Sequence, residues 1–269
     1  MKNPLRMTPK TMRLAAHRGH SAGAPENTYA AFRKARELAG KGVTCETDLA
    51  LTKDGEFMLI HDEMVDRTTN GHGLVQLMTS EELLKLDAGS WFAPEFASER
   101  IPLLRDALMF ARENDIIYQL ELKVYNRNDE ILPKLRKLID ELDCADLLQF
   151  SSFDFTLLRE VKKIIPEVPT VGLSHSILID PAGPAKDAGV DAVNLEIMNF
   201  PSGEALKLHE AGYAVFLHVP RGSICDKYKD YGMDLEKLVV NWGREGQLDQ
   251  VISDDATLVK RIWERVNVS

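Results

Sequence analysis

The sequence contains little cysteine, and its cysteines are widely spaced. Only three are present, Cys45, Cys144 and Cys225, and no Cys-x-x-Cys pair occurs. An odd, scattered set predicts neither a disulfide framework nor a zinc ribbon. We therefore expect a reducing, cytoplasmic setting for this chain.

Long apolar runs and an excess of positive charge are also missing. No apolar run approaches the length of a membrane span, and residues 1–12 lack the apolar stretch of a secretory signal. The formal net charge of −9 disfavours nucleic acid as a partner. A small anionic substrate would need a local positive device, such as a metal ion or converging Arg and Lys side chains. The sequence makes no prediction of oligomeric state.

A regular alternation of short apolar runs with helical periodicities fills most of the chain. Its 269 residues, 44% of them hydrophobic, suit one domain of barrel size. About eight strand–helix units follow one another, as in a barrel of this class. We predict an α/β fold, a (β/α)8 TIM barrel that forms a single domain over residues 1–269. The predicted strands are 13–17, 43–51, 57–60, 116–124, 147–151, 170–173, 192–195, 213–219 and 250–253.

Residues 63–100 break this alternation and predict a small insertion after the second strand. A capping box, Thr79 to Glu82, begins a helix inside it. Insertions of α/β barrels collect on loops at the active face. Asn27 is interpreted as the N-cap of the first helix and a brace of its loop, with a substrate contact as its alternative.

The predicted strand Val43–Leu51 carries two carboxylates, Glu46 and Asp48. Side chains two apart on a strand point to the same face. Burying both without a counter-charge would be costly, which predicts a divalent cation between them. Glu121 and Lys123 share one face of a later strand by the same spacing. Pairing with Arg or Lys in a polar barrel layer is the alternative for these carboxylates.

In a TIM barrel, functional residues come from the carboxyl ends of strands. His17, Arg18 and His61 meet that condition. Three oxygen ligands without a thiolate favour one Mg²⁺ or Ca²⁺, with Mg²⁺ slightly preferred, over zinc. Two histidines can exchange protons near neutral pH, and cations can hold phosphate oxygens. The set predicts hydrolysis of a phosphate ester, with these roles: metal ligands Glu46, Asp48 and Glu121; acid and base His17 and His61; phosphate binding Arg18 and Lys123.

Several motifs stand in one order along the chain. That order resembles the glycerophosphodiester phosphodiesterase family, and the resemblance covers nearly the whole sequence. It implies a TIM barrel with a small insertion, a metal held by the three carboxylates, and an acid–base pair formed by His17 and His61. The motifs are His17-Arg18-Gly19, Pro25-Glu26-Asn27-Thr28, Glu46-x-Asp48, Thr52-x-Asp54-Gly55, His61-Asp62, Arg67-Thr68-Thr69 and Glu121-x-Lys123.

The resemblance implies cleavage of glycerophosphodiesters, such as glycerophosphocholine or glycerophosphoethanolamine, to glycerol 3-phosphate and an alcohol. Family members often carry a Trp-Thr-Val-Asn-like run late in the barrel, whereas this chain has Phe216 to Arg221 there. The preference for the alcohol is therefore open, as is the role of His218. Alternative hypotheses are a lysophospholipase D acting on acylated substrates, a non-catalytic metal-binding barrel, and Mg²⁺-dependent carbon-acid chemistry.

Four more interpretations concern residues near these motifs. Arg67 is expected to hold the insertion to the barrel, and Trp91 is expected to pack rather than stack on substrate. The alternative role for Lys123 is an ion pair with Glu121, and the alternative role for Arg18 is bracing a loop. The remaining histidines are interpreted as surface or loop residues: His20, His72, His175 and His209.

Overall fold

Strands and helices alternate along the chain in the computed structural model, which describes residues 3–7, 11–123 and 127–267. The chain divides into two compact units, residues 16–148 and residues 1–15 with 149–269. Among the described residues, no helix is both long enough and apolar enough to cross a membrane.

Residues 16–148 contain a parallel strand pair extended by one antiparallel strand. The second strand pairs parallel with the fourth and antiparallel with the third. This register places Asp48 beside Glu121 on the neighbouring strand. The elements are β1 (Arg13–His17), α1 (Tyr29–Ala39), β2 (Val43–Leu51), β3 (Phe57–Leu59), α2 (Ser80–Leu84), α3 (Leu104–Asn114), β4 (Ile116–Leu122) and α4 (Asn128–Leu142).

The N-cap of α1 differs from the prediction. Thr28, in extended conformation, accepts the bond from the backbone N–H of Ala31 at 3.4 Å. The interpretation of Asn27 as the cap is wrong because Asn27 adopts a left-handed backbone with φ 56° and its side chain bonds elsewhere. A cap residue takes extended φ and ψ, so only Thr28 can fill that position.

The segment between β3 and α3 has an apolar core of its own. Met58 of β3 packs in one buried cluster with Val65, Leu83 and Ile101. The predicted capping box is confirmed, with Thr79 as the cap of α2 and Glu82 as its partner. The segment is thus anchored on β3 by hydrophobic burial rather than attached as a loose loop.

Residues 149–269 form a run of parallel strands with helices between them. Strands five to nine pair in consecutive order, and small apolar side chains such as Val171, Ala192 and Ala214 fill their core. The elements are β5 (Leu148–Ser152), α5 (Phe155–Ile164), β6 (Thr170–Ser174), α6 (Ala182–Ala188), β7 (Ala192–Glu196), α7 (Glu204–Glu210), β8 (Ala214–His218), α8 (Gly222–Asp230), α9 (Leu235–Arg244), β9 (Gln250–Ser253) and α10 (Ala256–Asn267).

The predicted strands agree with the observed ones to within two residues, and one helix was missed. β4 ends at Leu122 rather than at Val124, which lies outside the described residues. Helix α8, Gly222–Asp230, had no sequence prediction. Its segment has two lysines and two aspartates against three apolar residues, Ile224, Cys225 and Tyr228, and begins with glycine, so it lacks a clear apolar stripe.

Candidate active site

Three buried carboxylates meet on β2 and β4. Glu46 and Asp48 share one face of β2, and Asp48 lies beside Glu121 in the strand register. One carboxylate oxygen from each lies within 4.8 Å of the others. All three residues are buried. The three predicted metal ligands are therefore brought together at one point.

Two cations lie against this carboxylate cluster. The Lys123 Nζ atom is 3.1 Å from Asp48 Oδ1 and 3.6 Å from Glu121 Oε1. The Arg18 Nε atom is 3.6 Å from Asp48 Oδ2, and the Arg18 backbone N–H donates to Glu46 Oε2 at 3.1 Å. Both predicted phosphate-binding residues thus contact the cluster, but two positive charges do not balance three negative ones.

This imbalance of charge shifts the pKa values of the three carboxyl groups. Burial, reinforced by the charge of Asp48, raises the pKa of Glu46 well above its ordinary value and that of Glu121 to about 7. Burial also acts to raise the pKa of Asp48, but Lys123 and Arg18 outweigh it and the pKa is lowered. In this cluster the ionised form is therefore stabilised for Asp48 and destabilised for Glu46 and Glu121.

The carboxylate cluster fits a divalent cation. The Glu46 Oε1 atom is buried and has no hydrogen-bond partner among the described residues. Leaving such an oxygen unsatisfied costs free energy that a bound cation would offset. The donors are all carboxylate oxygens, which Mg²⁺ and Ca²⁺ prefer.

His61 is held by a chain of ion pairs. Its Nδ1 atom lies 2.6 Å from Asp62 Oδ1, and Arg67 Nε donates to Asp62 Oδ2 at 2.7 Å. Arg67 also donates to Glu26 Oε1 at 2.7 Å, and Glu26 accepts from Arg18 Nη1 at 2.8 Å. With Nδ1 engaged by a carboxylate, Nε2 is the His61 atom left to exchange a proton.

The acids in this chain of ion pairs stay ionised. Hydrogen bonds from Arg67 and His61 hold the pKa of Asp62 below its usual range. Burial acts to raise the pKa of Glu26, but Arg67 and Arg18 outweigh it. Arg67, expected to hold the insertion to the barrel, also connects Asp62 to Glu26. His61 is close enough to Asp48 to help lower the pKa of that carboxyl.

His17 approaches the carboxylate cluster from the end of β1. Its Nε2 atom lies 3.7 Å from Glu46 Oε2. The chain then turns sharply, because Arg18 and Gly19 both have positive φ, 55° and 77°. A Cβ atom on Gly19 would stand 2.7 Å from the backbone carbon of Ala31, so only glycine fits there.

Asn27 connects the turn after β1 to the carboxylate cluster. Its side-chain amide donates to Asp48 Oδ2 at 2.8 Å and accepts from Thr47 Oγ1 at 2.7 Å. Its left-handed backbone is one that asparagine tolerates better than most residues. Asn27 therefore fixes the rotamer of Asp48 and braces the turn after β1, which is not the role of a helix cap.

Sequence reasoning missed the roles of two acids, Glu26 and Asp62. Both were quoted within motifs but were given no function. The available signal was adjacency, because Asp62 directly follows His61 and Glu26 precedes Asn27. A carboxylate next to a strand-end histidine is a candidate to orient its ring.

A family model described as the glycerophosphoryl diester phosphodiesterase family matches residues 17–258. The chain belongs to this family. The matched range contains all seven residues predicted for the site, and the resemblance found in the sequence is confirmed.

Relatives and solved structures agree with this assignment. The glycerophosphodiester phosphodiesterase of Caldanaerobacter subterraneus subsp. tengcongensis is 44% identical over 170 residues, 62% of this chain and 68% of the relative. A phosphodiesterase from Oleispira antarctica, solved in complex with the product sn-glycerol-3-phosphate, has TM-score 0.79 at 27% identity and covers 94% of this chain and 96% of its own. The match to a glycerophosphodiester phosphodiesterase from Agrobacterium tumefaciens has a TM-score of 0.74 at 24% identity, and it covers 93% of this chain and 100% of that protein's chain.

These comparisons bear on two further predictions. The (β/α)8 TIM-barrel fold class is confirmed by the solved structures. The enzyme class, a phosphoric diester hydrolase, is confirmed by the family and its relatives.

Proposed function

We propose that this hydrolase cleaves glycerophosphodiesters, such as glycerophosphocholine and glycerophosphoethanolamine, to sn-glycerol 3-phosphate and an alcohol. The observation that carries the proposal is the buried cluster of Glu46, Asp48 and Glu121, which holds more negative charge than Arg18 and Lys123 balance. The product complex of the Oleispira antarctica phosphodiesterase supports the identity of the phosphate product.

In this proposal the three carboxylates hold one divalent metal ion, with Mg²⁺ slightly preferred to Ca²⁺. Such an ion polarises a phosphoryl oxygen and neutralises developing charge. Arg18 and Lys123 bind the remaining phosphate oxygens. Burial acts to lower the pKa of Lys123, but Asp48 and Glu121 outweigh it, so the ammonium stays charged for that task.

The two histidines move the protons. The glycerol hydroxyl next to the phosphate attacks phosphorus and gives its proton to one imidazole, while the departing alcohol takes a proton from the other. Water then opens the resulting cyclic phosphate with the two roles exchanged. The bond between His61 Nδ1 and Asp62 supports this assignment because it leaves Nε2 for the exchange. Either histidine can be the first base.

We further propose that residues 1–269 act as one domain with an insertion at residues 63–100, and that the enzyme works in the cytoplasm. The span of the family match supports the first statement. The second is supported by the cysteines, since Cys45, Cys144 and Cys225 are all free and buried.

The test is release of sn-glycerol 3-phosphate from glycerophosphocholine and glycerophosphoethanolamine with Mg²⁺ or Ca²⁺. We expect release by the wild type, loss in chelator, and loss in Glu46→Gln. Glu37→Gln, which changes an exposed carboxylate of α1, should behave as the wild type. If no divalent ion supports release, the proposal fails and the non-catalytic barrel becomes the better hypothesis.

A second candidate function is that of a lysophospholipase D on acylated substrates. Met64, Leu77 and Trp91 are exposed apolar side chains of the insertion, and such a surface suits an acyl chain. The assay compares lysophosphatidylcholine with glycerophosphocholine. A lower KM for the acylated substrate, lost in Trp91→Ala, would favour this candidate, and equal values in both proteins would exclude it.

A further inference from the structure

Two arginines bond the carboxylate of Glu26, which lies in the segment between β1 and α1. Its Oε1 atom accepts from Arg18 Nη1 at 2.8 Å and from Arg67 Nη2 at 2.7 Å, and its Oε2 atom accepts from Arg67 Nη1 at 2.8 Å. Only 11% of the Glu26 side chain is exposed. Two guanidinium groups thus meet at one nearly buried carboxylate, whose charge offsets their mutual repulsion.

Arg18 connects Glu26 to the carboxylate cluster. Its Nη1 atom is bonded by Glu26, and its Nε atom lies 3.6 Å from Asp48 Oδ2. Because two separate atoms of the guanidinium are held, the orientation of its plane is fixed. An arginine that binds phosphate depends on this orientation, since paired N–H bonds form only when the fork faces the oxygens.

Arg67 connects Glu26 to His61 on the other side. It donates to both oxygens of Asp62, from Nε to Oδ2 at 2.7 Å and from Nη2 to Oδ1 at 3.0 Å. The Asp62 Oδ1 atom in turn lies 2.6 Å from His61 Nδ1. Arg67 therefore bridges the two carboxylates with paired bonds, and the orientation of the imidazole depends on Glu26 through this bridge.

These two branches give Glu26 a role in the proposed reaction. Arg18 is proposed to bind the phosphate and His61 to move a proton, and both are held from the same carboxylate. We propose that Glu26 is a positioning residue for both of them. It orients the Arg18 guanidinium for phosphate binding. Through Arg67 and Asp62, it also orients the His61 imidazole for proton transfer. This inference rests on the proposed function.

The test of Glu26 separates its two branches by their effects on KM and kcat. Glu26→Gln removes the charge and keeps the size of the side chain. On glycerophosphoethanolamine, with the divalent ion that supports release, we expect KM to rise and kcat to fall, each by about 10-fold, as for weakened hydrogen bonds between charged groups. Values of both constants within about twofold of the wild type would overturn the inference.

Arg67→Met cuts only the branch to His61. The Arg67 side chain is 44% exposed, so this variant should fold even if Glu26→Gln does not. We expect kcat to fall by about 10-fold while KM stays within about twofold, because Arg18 keeps its bond to Glu26. An unchanged kcat, or a KM that rises as much as in Glu26→Gln, would contradict the two-branch role.

Glu236→Gln is the matched control. Glu236 of α9 also bonds two arginines, Arg261 Nη2 at 2.8 Å and Arg265 Nη1 at 2.8 Å, and its side chain is 19% exposed. Both Gln variants should melt at a lower temperature than the wild type, but only Glu26→Gln should change the kinetic constants. Glu26→Asp restores the charge and should recover part of both losses. Equal kinetic losses in Glu236→Gln would reduce Glu26 to a structural role and overturn the inference.

A double variant tests the dependence on His61 directly. In a His61→Gln background, Glu26→Gln should still raise KM by about 10-fold but lower kcat by no more than about twofold, because the imidazole that it orients is gone. A kcat loss as large as in the wild-type background would contradict action through His61.

Failure of the proposed function gives a different result. If the wild type releases no sn-glycerol 3-phosphate from any diester, the proposed function fails. Proton NMR then tests the inference without turnover, because an imidazole Nδ1 proton bonded to a carboxylate resonates far downfield and its loss in His61→Gln assigns it. We expect this resonance to shift or broaden in Glu26→Gln and to stay in place in Glu236→Gln. A resonance that Glu26→Gln leaves unchanged would overturn the inference.

Discussion

Two groups of side chains at strand ends differ in how their charge is balanced. Within residues 16–148, Glu46, Asp48 and Glu121 are buried against Lys123 and Arg18 and still carry surplus negative charge. Within residues 149–269, Glu196 is half-exposed and contacts the imidazoles of His175 and His218. A buried surplus of negative charge requires a bound cation, whereas water can solvate a half-exposed carboxylate. The difference marks the buried cluster as the candidate metal site.

The two groups also differ in rigidity. Asp48 has its rotamer fixed by Asn27, and His61 is fixed by Asp62, which Arg67 bonds in turn. Around Glu196, His175 Nδ1 lies 3.0 Å from one carboxylate oxygen and His218 Nδ1 lies 3.8 Å from the other. Reaction chemistry requires groups held within fractions of an ångström.

The largest expected effect is on His61. In His61→Gln we expect kcat to fall by roughly 10²- to 10⁴-fold, the usual contribution of a general acid or base. His72→Gln is the matched control, because His72 is an exposed histidine that also contacts an aspartate, Asp66, at 2.9 Å. Steady-state rates of sn-glycerol 3-phosphate release give both values. Equal rates in the two variants would place the proton transfer elsewhere.

The next effect concerns the carboxylate behind His61. Asp62→Asn removes a charge-assisted bond, and we expect about a 10-fold lower kcat with little change in KM. The control Asp66→Asn should have no effect. In a His61→Gln background the Asp62→Asn loss should vanish, because Asp62 acts only through the imidazole. An additive loss in the double variant would contradict this dependence.

A third prediction uses pH to test the raised pKa of Glu46. In chelator, ionisation of Glu46 destabilises the folded protein as pH rises, since its folded pKa lies above the unfolded one. Glu46→Gln cannot ionise, so its melting temperature should exceed that of the wild type by a few degrees at pH 9, as expected for about 1 kcal/mol, and by less at pH 5. Glu37→Gln, which changes an exposed carboxylate of α1, should match the wild type at both pH values. A difference between Glu46→Gln and the wild type that is the same at pH 5 and at pH 9 would contradict this prediction.

The smallest effect is the pH dependence of stabilisation by the metal. The pKa of Glu121 is raised to about 7, so a proton competes with the metal below that pH. The melting-temperature gain from Mg²⁺ or Ca²⁺ should therefore increase from pH 5.5 to pH 7.5, by about 2–4 °C for each kcal/mol of binding gained. Differential scanning fluorimetry measures it. A gain that is constant over this range would argue against coordination by Glu121.

The sequence predicted the fold well where periodicity was strong. Strand Val43–Leu51 has the predicted bounds because apolar spacing dictates them locally. Helix α8 was missed because its segment lacks a clear apolar stripe. The two-residue spacing predicted that Glu46 and Asp48 lie on one face of β2. The pairing of β2 with β4 brings Glu121 beside Asp48.

The links between site residues could not be predicted from the sequence. Arg67 reaches Glu26 over 41 positions of chain, and Lys123 reaches Asp48 from the position after β4. Asn27 was interpreted as a cap because side-chain chemistry alone suits that role, whereas its positive φ and its bond to Asp48 depend on the packed turn. Likewise, His175 was interpreted as a surface residue, and its contact with Glu196 arises only when two strand ends become neighbours.

Metal binding to the chelated, dialysed protein is the most direct test of the central claim. Calorimetric titration with Mg²⁺ and with Ca²⁺ should show one site per chain in the wild type and in Glu37→Gln. That site should be absent from Glu46→Gln, Asp48→Asn and Glu121→Gln, each of which remains folded by circular dichroism. Undiminished binding in all three variants, or no binding in the wild type, would contradict the assignment of these carboxylates as the metal site.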